Sequence, residues 1–216
     1  SVVPTGVDLV DKCTSGGLPL GQTTVVSAGT GVGKSVLLIQ FALEVARAGK
    51  RVVYVTLADL DGDELRDRMM RQLCGWAWPP EEGWRSSADE AAYVAAETQL
   101  GIIDLEILDA SQYATHDRTI ETLCANIAAK QIKAKTKRRD GSPGGEPISL
   151  VCWDYAQKLR SANLPRNAGI YETGVACSDY LRWWTKDMGL ASVIASQVTI
   201  NQQGGATTKG GGAWEE

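Results

Sequence analysis

A single histidine, His116, serves a chain of 216 residues. That scarcity removes Ser–His–Asp catalysis and multi-histidine metal sites from consideration. No apolar run reaches the roughly 18 residues of a membrane-spanning helix, and neither a signal peptide nor a lipidation motif is legible. The five cysteines (Cys13, Cys74, Cys124, Cys152, Cys177) are odd in number, scattered, and contain no C-x-x-C pair. This is the usage of reduced thiols in a cytosolic protein, so the expected location is cytoplasmic with no membrane partner. The net charge of −4 excludes a wholesale basic surface, and any nucleic-acid contact must therefore be local.

What is present is alternation. Apolar, Val/Ile/Leu-rich runs at 23–27, 51–57, 104–109, 148–153 and 191–196 read as strands, and their non-alternating character predicts burial on both faces of a parallel sheet. Between them the 3.6-residue period predicts helices over 34–48, 63–74, 117–133 and 171–188, with Gly49 at the end of the first as a cap. The fold class is α/β, a mostly parallel sheet flanked by helices, in one domain over 1–216. Three segments break the rhythm. Residues 76–101 start with Trp76, Trp78 and Trp84 around Pro79-Pro80 and turn alanine-rich, predicting a helical insertion. Residues 135–147 read as a solvated loop, and 202–212, with five glycines and no large apolar residue, as a segment that cannot pack.

Val25-Val26-Ser27-Ala28-Gly29-Thr30-Gly31-Val32-Gly33-Lys34-Ser35 carries the most information. An apolar strand enters a glycine-rich turn that closes on Gly-Lys-Ser and opens a helix. Glycines at 29, 31 and 33 let backbone N–H groups turn inward around an anion, joined by those of Thr30, Val32 and Lys34, and the helix N-terminus adds its dipole. Lys34 would reach the β- and γ-phosphates of ATP, and the Ser35 hydroxyl would hold Mg²⁺. The strict pattern places a glycine where Ala28 stands, a mild departure.

Asp154 follows the apolar run 148–153, where a carboxylate at a strand tip would hold the metal opposite Ser35. Gln197 ends the run 191–196 and is either a γ-phosphate sensor or a loop polar residue.

With these pieces in place, the chain resembles the motor domain of replicative (DnaB-type) helicases within the RecA-like P-loop superfamily. The resemblance rests on Pro4-Thr5-Gly6-Val7-Asp8-Leu9-Val10-Asp11, Ser15-Gly16-Gly17-Leu18-Pro19-Leu20-Gly21, the 28–35 turn, Leu105-Glu106-Ile107-Leu108-Asp109, Trp153-Asp154-Tyr155-Ala156-Gln157 and Ala195-Ser196-Gln197. Clock-type (KaiC) and recombinase-type relatives share the opening segment. The resemblance implies a homo-oligomeric ring, expected to be hexameric, with ATP between subunits and single-stranded DNA in the central channel. It implies that Gln197 couples nucleotide state to DNA grip, and that the segments after Asp154 and Gln197 touch DNA through Lys158, Arg160, Arg166 and Lys209. A loader or another replication protein would be the partner. An arginine finger supplied in trans belongs beyond the last strand of this pattern, and the sequence is expected to be a piece of a longer chain, lacking that region.

The pattern breaks at one point. Relatives carry a glutamate just past the second strand to deprotonate the attacking water, and the matching run Val55-Thr56-Leu57-Ala58-Asp59 has Ala58 in that place. Alanine accepts no proton, and a general base contributes about 10²–10⁴-fold. Either Asp59 or Asp61 takes the role, or the protein binds ATP with little hydrolysis, or the base was removed to trap ATP. The last two together are preferred, because a one-residue slip turns a side chain to the other face. A ring helicase, a recombinase- or clock-type ATPase, and an ATP-gated assembly or loader module with little hydrolysis remain the three functional readings.

Other features have blander readings of equal weight. The basic run Lys130, Lys133, Lys135, Lys137, Arg138, Arg139 is a solvated helix end or an outer nucleic-acid patch. Trp183 and Trp184 are adjacent on a helix, so one of them belongs to the core.

Overall fold

The computed structural model describes residues 1–57, 60–75, 87–114, 117–136, 145–200 and 206–208. Five strands, β3 (Thr23–Ala28), β4 (Arg51–Thr56), β5 (Leu105–Asp109), β6 (Ile148–Asp154) and β7 (Ala191–Ile200), form a parallel sheet in the order β3-β7-β6-β4-β5. A small antiparallel pair, β1 (Val2–Val3) with β2 (Leu18–Pro19), precedes it. The helices are α1 (Asp8–Cys13), α2 (Lys34–Arg47), α3 (Gly62–Cys74), α4 (Ser87–Ile102), α5 (Ile120–Lys135) and α6 (Ile170–Met188). This is the expected α/β sheet flanked by helices.

Two cores cover the two faces. On one, Leu38, Phe41 and Val45 of α2 pack with Leu65 and Met69 of α3 against Tyr54, Cys152 and Val193. On the other, Ile127 of α5 and Leu181 and Trp184 of α6 pack against Val53, Trp153 and Ile194. Each such side chain, fully buried, contributes about 1.5–3 kcal/mol. Trp184 is 3% exposed and stands edge-on to Trp153, whereas Trp183 is 59% exposed, so one member of that pair is core. Strands β4 and β6 are buried on both faces, but β3 is not: as an edge strand of the sheet it keeps Val25 and Val26 only half-buried.

Boundaries moved where side chains, not periodicity, decide them. Helix α5 starts at Ile120, three residues later than the pattern, because the Thr119 hydroxyl accepts the Thr122 N–H and stops the helix there. Strand β7 runs past Gln197 to Ile200, and residues Ala206–Thr208, inside the stretch expected not to pack, form β8 antiparallel to it. Pairing satisfies backbone groups there whatever the side chains offer. Helix α4 (Ser87–Ile102) lies in the later part of the segment 76–101 read as a helical insertion; the tryptophans at 76, 78 and 84, His116 and the cations at 137–139 lie outside the described residues. The five cysteines are free thiols, and burial pushes the Cys177 thiol up to about 12. Among the described residues no helix is long and apolar enough to cross a membrane.

Candidate functional site

All five parallel strands present their C-terminal ends on one edge of the sheet, the edge where open α/β sheets bind ligands. The turn after β3 is built by glycine. Gly31 and Gly33 have φ of +75° and +97°, and nothing stands within 4 Å of where a Cβ would project. The conformation therefore selects glycine, and the space beyond is an open cradle. Lys34, the first residue of α2, folds its ammonium back into this loop and donates to the carbonyls of Ala28 (3.0 Å) and Gly29 (2.8 Å). Desolvation lowers the Lys34 pKa, and the nearby Asp154 carboxylate opposes that shift.

Asp154 ends β6 and is buried, and among the described residues its carboxylate receives one hydrogen bond, from the Tyr54 hydroxyl (2.9 Å). Burial, with Asp154 adding to it, raises the Tyr54 pKa well above its ordinary value, so the phenol stays a donor. Gln197 is level with Ala28 across the β3–β7 pair, and its side chain donates to the Thr30 hydroxyl of the glycine-rich turn. A cavity of about 310 Å³ opens between these groups, lined among others by Thr30, Lys34, Ser35, Arg68, Asp154 and Gln197.

These groups fit a nucleoside triphosphate with a divalent cation. The cradle is open, the lysine holds its donors on exchangeable carbonyl partners, and a carboxylate and a hydroxyl share the wall as hard oxygen ligands.

The structure thus brings together Thr30, Gly31, Gly33, Lys34, Ser35, Asp154 and Gln197, with Gly29 in the turn beside them and Val32 on its outer side, 69% exposed. Lys158, Arg160 and Arg166 are exposed beyond Asp154. Their segment is not loose. Glu121 accepts from the Ser161 hydroxyl (2.5 Å), the Ala162 N–H (2.9 Å) and the Asn163 amide (3.2 Å), while the Arg160 carbonyl accepts from Ile120 N–H. Ala58, Asp59 and Lys209 lie outside the described residues. Sequence reasoning missed Tyr54 as partner of Asp154 and Arg68 in the cavity wall. Both reach the site through packing, not through any local pattern.

Solved structures match this fold over the whole chain. One, described as an ATPase domain, aligns with TM-score 0.79 over 100% of this chain and 72% of that one, at 16% identity. A DnaB-like replicative helicase, solved with its interactions with primase, aligns with TM-score 0.78 over 100% of this chain and 50% of that one, also at 16%.

The chain shares the fold of RecA-like ATPase domains.

The family model described as "ATPase: KaiC" matches residues 3–84 of this chain. The DNA repair protein RadA of Mycobacterium tuberculosis is 39% identical over 170 residues, 76% of this chain, and that of Mycolicibacterium smegmatis 34% over 99 residues, 46% of this chain. The chain spans about a third of the length of the Mycobacterium tuberculosis relative it matches.

Proposed function

We propose that this RecA-like domain binds ATP with Mg²⁺ and serves as the motor of a homo-oligomeric ring, a hexamer, that moves on single-stranded DNA. The observation that carries the reading is the convergence of Lys34 at the start of α2, Asp154 at the end of β6 and Gln197 within β7 onto one cavity. Lys34 exchanges the carbonyls of Ala28 and Gly29 for phosphate oxygens, and the backbone N–H groups of 29–35 donate to the anion. Ser35 and Asp154 would hold the cation, which would supply positive charge to offset that of the phosphates. Gln197, bonded to Thr30, senses the γ-phosphate. Lys158, Arg160 and Arg166 supply sequence-independent backbone contacts to DNA, with Lys209 on the second segment. The likeness to a DnaB-like replicative helicase supports the ring and a loader or replication partner.

Replacing Lys34 by Ala is expected to weaken binding of a fluorescent ATP analogue by about tenfold to a hundredfold, the loss of charge-assisted hydrogen bonds. An affinity equal to the parent chain's overturns the ATP site. Strand displacement on a forked substrate then tests the motor.

Ala58 favours a second reading, an ATP-gated assembly or loader module with little hydrolysis; the likeness to RadA and to the KaiC family supports a third, a recombinase- or clock-type ATPase. With Ala58 in the position of the base, Ala58→Glu raises steady-state ATP turnover by about tenfold or more. An unchanged rate, with Asp59→Asn abolishing it, instead assigns the base to Asp59.

A further inference from the structure

Gln157 does not line the cavity, yet it makes more hydrogen bonds to the Gln197 strand than any other side chain among the described residues. The β6–β7 ladder ends at Trp153 opposite Ile194, whereas the β3–β7 ladder continues to Ala28 opposite Gln197. Over those last residues β7 has lost its backbone neighbour on the β6 side. The chain leaves β6 through a tight 3₁₀ turn at 156–158, and the Gln157 side chain takes the missing strand's place. Its Oε1 accepts from the Gln197 N–H (3.2 Å), and its Nε2 donates to the Gln197 carbonyl (3.1 Å) and to the Ser196 hydroxyl (3.1 Å). One amide thereby reproduces the donor–acceptor pair that a neighbouring strand would offer.

The turn that carries this amide is fixed. Ala156 and Leu159 on either side of it are buried in the core beneath α5 and α6. Gln197 is therefore held by its backbone from one side while its side chain reaches Thr30 on the other. The same turn leads directly into Lys158 and Arg160. Among the described contacts, this makes Gln157 the hydrogen-bonded link between Gln197 and the segment after Asp154.

We propose that Gln157 is a positioning residue: it sets Gln197 against the glycine-rich turn, so that discrimination of a nucleoside triphosphate from a diphosphate depends on the Gln157 amide. The inference rests on the reading of Gln197 as the γ-phosphate sensor.

The test is a titration of the purified chain with fluorescent ATP and ADP analogues, with Lys34→Ala, Gln197→Ala, Gln157→Ala, Gln157→Glu and the double variant at 157 and 197. Gln157→Glu keeps the acceptor and the size but loses both donated bonds. The expected result is that Gln157→Ala and Gln157→Glu lower the ATP-over-ADP preference by about three- to tenfold, the worth of one or two neutral hydrogen bonds. ADP affinity stays at the parent value, and the double variant is no worse than Gln197→Ala, since both act through one group. A preference retained in both Gln157 variants while Gln197→Ala loses it overturns the inference and leaves the sensor standing. Equal losses for ATP and ADP overturn it too, showing a merely structural strut. A preference unmoved by Gln197→Ala overturns sensor and inference together, and Lys34→Ala reports separately whether the ATP site itself is real.

Discussion

Asp109 and Asp154 end two parallel strands at one level of the sheet, each opposite Thr56, one on either side of it. In sequence both follow apolar runs and look interchangeable; in the fold they do opposite things. Asp109 is spent on its own protein: it accepts from the Ser111 N–H (2.8 Å), closing the turn after β5, and from the Gly62 N–H (3.0 Å), at the first residue of α3. Burial alone would raise its pKa, but these hydrogen bonds, with others from the Ser111 and Gln112 side chains, outweigh burial and hold its carboxyl below the usual carboxylate range. Among the described residues Asp154 takes one donor, Tyr54, and it lies near Lys34 in the cavity wall. A satisfied carboxylate is structural; one left with acceptor capacity beside a lysine and an open cradle is available to a cation.

The comparison can be broken by substitution. Asp154→Asn is expected to lower steady-state ATP turnover by about a hundredfold, the scale of losing one electrostatic contact to the reacting centre, while the midpoint of thermal unfolding stays near that of the parent chain. Asp109→Asn should do the reverse. An amide NH₂ forced against the N–H of Ser111 or Gly62 costs about 1–3 kcal/mol, read as a fall of a few degrees in Tm, with nucleotide affinity little changed. If Asp109→Asn instead empties the nucleotide site at unchanged Tm, the roles are reversed.

The smallest effect is in pH. Because the folded Asp109 pKa is depressed, its stabilisation is full above the unfolded value of about 3.9 and fades as pH falls through the lower folded value. The Tm advantage of the parent chain over Asp109→Asn should therefore persist at neutral pH and shrink below about pH 4. A constant advantage across that window contradicts the assigned hydrogen bonds.

This pair also shows how far the sequence could be read. The glycine-rich turn and the strands were legible because their signals are local: positive-φ glycines, an N-terminal helix lysine, and apolar runs without alternation. Asp154 was picked out by the apolar run before it, and nothing in the run before Asp109 excluded it from the same role. What separates them is Tyr54, a hundred positions from Asp154 in sequence, and Gly62, forty-seven from Asp109. Such partners are fixed by strand order, which the sequence does not display. The same holds for Gln157, visible as part of a motif but not as the brace of Gln197, and for Arg68, brought to the cavity by the packing of α3. Glu121 makes the point from the other side. The segment at 158–166 read as a stretch that touches DNA, with no sign of an anchor, and a glutamate forty residues away ties it down.

The most direct test is the gain in ATP-analogue affinity on adding Mg²⁺, measured by fluorescence titration for the parent chain, Asp154→Asn and Asp109→Asn. The account predicts a gain of about tenfold or more in the parent and in Asp109→Asn, on the scale of charge-assisted contacts to phosphate, and none in Asp154→Asn. A full Mg²⁺-dependent gain in Asp154→Asn would contradict it.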